Sequence, residues 1–62
     1  MKISFIVNEN RIDEINYFIG VANRNNCRFV MCIVGDRSGW HDAYIEGKRK
    51  DIKLIEKLVF AH

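Results

Sequence analysis

Residues 28–46 read RFVMCIVGDRSGWHDAYIE. The stretch divides into an apolar run, Arg28 to Val34, a turn, Gly35-Asp36-Arg37-Ser38-Gly39, and a second run, Trp40 to Glu46. The first run is apolar on both faces, which predicts the most buried strand of a sheet. The glycine-bounded turn and the alternation after it predict a hairpin partner.

Lys2 to Val7 alternates Ile3, Phe5 and Val7 with Lys2, Ser4 and Ile6, the pattern of a half-buried strand. Asn8-Glu9-Asn10 breaks it, and Asn10 is the expected N-cap of a helix with Asp13 and Glu14 in its first turn. Ile12, Ile15, Phe18, Ile19 and Ala22 share one helical stripe, so this helix runs to about Asn23. Asn23, Asn25 and Asn26 are candidates for its left-handed stop. Gly47 ends the third strand. Ile52, Ile55, Leu58 and Val59, with Leu54 beside them, make the apolar side of a second helix over 49–60.

The expectation is an α+β fold, a small β-α-β-β-α domain with two helices packed mainly on one face of a three-stranded sheet. At 62 residues it is a single domain, 1–62, with a marginal core. The chain is 48% apolar and 29% charged, which argues against disorder. No apolar run approaches the roughly 20 residues of a membrane span, and no signal peptide is evident. Cys27 and Cys32 sit on opposite sides of a strand, which suits two small hydrophobes in a reducing, cytoplasmic protein. Nine Ile and six Asn, with no Pro, Thr or Gln, match the codon bias of an AT-rich genome such as many phages have.

Two helices on one face leave the other face of the sheet bare. The second strand then shows either Phe29, Met31 and Ile33 or Val30, Cys32 and Val34 to solvent. Such a patch, on a domain this small, predicts a homodimer through the open face or a sheet edge.

Tracing the chain through this order sorts the charges. One end collects Lys2, Arg24, Arg28, Lys48, Arg49 and Lys50 against Glu46 and Asp51, net +4. The other collects Glu9, Asp13, Glu14, Asp36 and Asp42 against Arg11 and Arg37, net −3. Lys48-Arg49-Lys50 stands out, because cations at a helix N-terminus oppose its dipole while the free N–H groups there favour an anion. With Arg24 and Arg28 closing around them, and the Asn cluster as neutral donors, they suit a nucleotide-like phosphate or an acidic protein surface. Alternatively, Asp51 is the true cap and the run is a solvated loop.

At the opposite end, Arg37 and Ser38 can bind an oxyanion, and Trp40 can stack a base or fill a partner's pocket. The loop lacks G-x-x-x-x-G-K-[ST], which excludes a P-loop nucleoside triphosphatase. Alternatively, Trp40 simply covers the sheet edge. His41 and Asp42 are strand neighbours and point to opposite faces, so they form no acid–base pair with each other. Cys27, Cys32, His41 and His62 fit no compact zinc spacing, and 62 residues leave little room for a catalytic pocket. Tyr17 with Val21, and Phe60, are expected on the outer sides of the helices as contact residues.

The sequence therefore predicts a non-enzymatic binding or inhibitory protein of phage-accessory type, without metal or cofactor. Its candidate ligand residues are Arg24, Arg28, Lys48, Arg49, Lys50, Arg37, Trp40 and His41. One alternative is a protein–protein inhibitor or antitoxin using Trp40 and the helix aromatics; another is a nucleic-acid-binding regulator.

Overall fold

A computed structural model describes residues 1–33 and 38–60. The order is β1 (Lys2–Asn8), α1 (Ile12–Arg24), β2 (Arg28–Cys32), β3 (Trp40–Glu46) and α2 (Arg49–Ile55). A wide π turn, Glu56–Phe60, carries α2 onward. The three strands form one antiparallel sheet in the order β1-β3-β2. This is the expected α+β domain, and both helices pack on the face that carries Ile3, Phe5, Phe29 and Ile45.

The most buried strand is β3, not β2. β3 lies between the other two, with His41, Ala43 and Ile45 buried, whereas β2 is a short edge strand whose residues are half-buried or exposed. An apolar run on an edge reads like a central strand because periodicity registers side chains, not strand order. β2 ends at Cys32, Ile33 beyond it is 71% exposed, and the expected Val34 and the turn residues 35–37 lie outside the described residues.

The core is Val21 and Ala22 of α1, Ile45 of β3, and Ile52 and Ile55 of α2. Each fully buried aliphatic side chain here contributes about 2 kcal/mol. The apolar stripe of α1 sits about one residue away from its expected place. Val21 is buried, while Ile12 and Ile19, expected inside, are 63% and 37% exposed.

Asn10 does not cap α1. Its backbone N–H donates to Asn8 Oδ1 at 2.9 Å, an Asx turn, and Arg11 takes the cap position without a side-chain bond. The other end follows the expectation closely. Asn26 adopts φ 57, Asn25 Nδ2 donates to the Val21 carbonyl at 2.8 Å, and the Cys27 N–H donates to the Ala22 carbonyl at 2.8 Å. The asparagines therefore satisfy the last carbonyls of the helix.

Phe60 points inward, against expectation. The π turn takes more residues per turn than an α-helix and so rotates the last side chains. Phe60 stacks on Phe18 (5.9 Å between centroids, 3° between planes) and meets Phe5 at 5.5 Å. Leu58 and Leu54, expected on the apolar side, are 64% and 46% exposed.

Candidate functional site

The strand register fixes where the charges stand. Lys2 and Arg28 both pair with Glu46, one from each side, at the end of the sheet where α1 finishes and α2 begins. Lys2, Arg24, Arg28, Lys48, Arg49 and Lys50 therefore share one end of the domain, with Glu46 and Asp51. Three of these cations lie against local groups. Arg28 is ion-paired with Glu46, Lys2 Nζ lies 4.7 Å from the centre of the Tyr44 ring, and the Arg24 guanidinium folds back over Gly20.

The other three remain outward. Lys48 is the N-cap of α2 in extended conformation without a side-chain bond, and Arg49 and Lys50 open the helix. All three are exposed, and among the described residues no carboxylate pairs with them. Asp51 is in the first turn of the helix and is not its cap.

Cys27 closes the same end from inside. A Cβ on Gly47 would stand 2.6 Å from Cys27 Sγ, so the thiol fills the space that Gly47 leaves. Burial, and secondarily the Asp51 carboxylate, push the Cys27 thiol above its usual value. It is a protonated packing group at neutral pH. Cys32, expected to be buried, is exposed on the helix-free face.

The opposite end holds Trp40 and His41, with their side chains on different faces. Trp40 is half-buried on the helix-free face, and the Arg11 guanidinium carbon lies 5.9 Å from its ring centre. His41 is 3% exposed on the helix-covered face, and its Nε2 lies 2.9 Å from Glu9 Oε2. Sequence reasoning missed this pair, because it depends on Val7 standing opposite His41 in the β1–β3 register. Ser38 adopts φ 53 and Gly39 φ 90, which turn the chain into β3. Arg37 lies outside the described residues. A shallow concavity of ≈ 360 Å³ sits at the first turn of α1, lined by Asn10 to Glu14, away from the basic end. Among the described residues no three His, Cys, Asp or Glu side chains gather as metal ligands, and no helix is long and apolar enough to cross a membrane.

The structure thus groups Arg24, Arg28, Lys48, Arg49 and Lys50 at one end and separates them from Trp40 and His41. Compared with known proteins, the chain matches no family model, no curated protein and no solved structure.

Proposed function

We propose that this chain is a small non-enzymatic binding protein, an accessory or inhibitory protein of phage type, that holds a phosphate-bearing, nucleotide-like ligand at its basic end. One observation supports the reading: Lys48, Arg49 and Lys50 stand exposed and, among the described residues, without a carboxylate partner, at the same end of the domain as Arg24 and Arg28. Aligning three like charges at a helix start opposes the helix dipole, and local rules tend to be broken where function requires it. Two free thiols suit a reducing, cytoplasmic setting.

The test is a backbone-amide NMR titration with ATP and, separately, with a single-stranded 12-mer oligonucleotide. Shifts concentrated at residues 24–28 and 46–51, with affinity at least ~10-fold lower in the Lys48→Ser/Arg49→Ser/Lys50→Ser triple variant, support the reading. Unchanged affinity in the triple variant, or no response to either probe, refutes it. Binding of the oligonucleotide alone, with a log–log salt slope that falls by about 2–3 in the triple variant, marks a nucleic-acid regulator instead.

A second reading rests on the helix-free face. It presents Ile6, Val30, Tyr44 and Trp40, while Tyr17 is exposed on the opposite, helical layer. A protein–protein inhibitor or antitoxin would use such residues, and Trp40→Ala would then weaken capture of its target by more than ~1 kcal/mol.

A further inference from the structure

We propose that two copies of the chain join edge to edge through β2, in a two-fold antiparallel register with Val30 on the axis, to make a continuous six-stranded sheet. Among the described residues β2 pairs only with β3, so its other side offers an open row of backbone donors and acceptors. In this register Phe29 faces the second copy's Met31, and Val30 faces its own counterpart. Arg28 faces Cys32, so no like charges stand opposite each other. Asp42 is next to Cys32 in the same cross-strand row. Each Arg28 is then about 10 Å, two strand spacings, from the Asp42 of the second copy, across the small Cys32 side chain.

Charge and apolar surface both favour this edge. The two-fold inverts one copy, so each basic end lies beside the other copy's acidic end, which holds Glu9, Asp13, Glu14 and Asp42 against Arg11. The helix layer points the same way. Val21, one turn on from Tyr17, is buried in one cluster with Ile52 and Ile55 of α2, so the Tyr17 flank of α1 faces α2. Ile12 and Ile19, one heptad apart, lie on the opposite flank, and α1 packs over β2. Together with Ile33 they leave three large apolar side chains exposed beside the β2 edge. The other edge, β1, starts with Lys2 and lies under α2, which carries the exposed Lys53 and leads into the exposed Lys57 of the π turn. Lys48, Arg49 and Lys50 stand at the start of α2, away from β2, so the pairing leaves these three accessible while it places Arg28 at the shared edge.

The register makes a distance prediction. Ser4, Tyr44 and Val30 occupy one cross-strand row, so the two Ser4 backbones of the pair stand five strand spacings apart, about 24 Å. Ser4→Cys in a Cys27→Ala/Cys32→Ser background, spin-labelled and measured by pulsed dipolar EPR, should give one population centred between about 20 and 35 Å once label length is included. Pairing at the β1 edge or stacking of open faces would bring the labels within about 15 Å and would overturn the proposal. Sedimentation equilibrium of the unmodified chain should show a dimer at tens of micromolar, and a monomer at 100 µM (on the order of the weakest ordinary dimer affinities) would also overturn it. Val30→Lys sets two cations face to face and should weaken the dimer at least ~10-fold while circular dichroism stays unchanged. An undiminished dimer excludes the axis, and if the variant unfolds, the spin-label distance decides.

Discussion

His41 and Glu9, 32 positions apart in the chain, meet at 2.9 Å between Nε2 and Oε2. The histidine is buried beneath the helices and the carboxylate reaches in from the edge of the domain, its side chain 57% exposed. The ring N–H donates to the carboxylate, which ties the end of β1 to the start of β3 just beyond the last ladder pair, Asn8 with Trp40. Next to it the Glu9 N–H donates to the Gly39 carbonyl at 2.8 Å.

Removing that acceptor should destabilise the fold. Glu9→Ala is expected to lower unfolding free energy by about 1 kcal/mol, the low end for a buried donor losing a partner, since water reaches the carboxylate. Glu9→Gln, which keeps an acceptor oxygen, should lose less than half as much. Urea midpoints measure both, and equal losses would show that the contact carries no stability.

Gly47 and Cys27 form a size-matched pair. A methyl at Gly47 would press on Sγ at 2.6 Å, with Cys27 Cβ and Cα behind it at 3.3 and 3.4 Å. Gly47→Ala should therefore cost about 1–3 kcal/mol. In a Cys27→Ala background the sulfur is gone but the backbone remains, so the same substitution should cost about half as much. A thermodynamic cycle with no coupling between the two sites would contradict the packing.

The π turn reverses a ranking that helical periodicity suggests. A straight helix over 49–60 buries Leu58 and exposes Phe60; here Leu58 is 64% exposed and Phe60 is packed among Phe5 and Phe18. Phe60→Ala is expected to cost about 2–3 kcal/mol and Leu58→Ala less than about 0.5 kcal/mol. Thermal or chemical unfolding of the two variants gives the order directly.

Much of the architecture was readable in the residues, and its failures share a cause. Alternation in Lys2 to Val7, Gly39 and Gly47 around β3 and the asparagines after α1 are local signals, and each marks a boundary within one or two residues of its observed place. The gathering of Lys2, Arg28 and Lys48–Lys50 at one end followed from element order alone. Strand order did not, because Arg28 to Val34 is more apolar than Trp40 to Glu46, yet the latter is central. Asn10, a good capping residue in isolation, lost that role to the turn set by Asn8. The Glu9–His41 contact required the register itself, which side-chain periodicity leaves open by steps of two.

The central place of β3 has a consequence for how the chain acquires its shape. β1 and β2 never touch as ladder partners; each waits for a strand that is made after both of them. On a ribosome, the first half of the molecule leaves the exit tunnel with a strand and a helix but no sheet to join. The pairing of Lys2 with Glu46 closes everything from the start of β1 to the end of β3 into one loop. Assembly of the sheet is therefore deferred until β3 has been made, and the chain before that point is a set of unpaired elements rather than a partly finished domain.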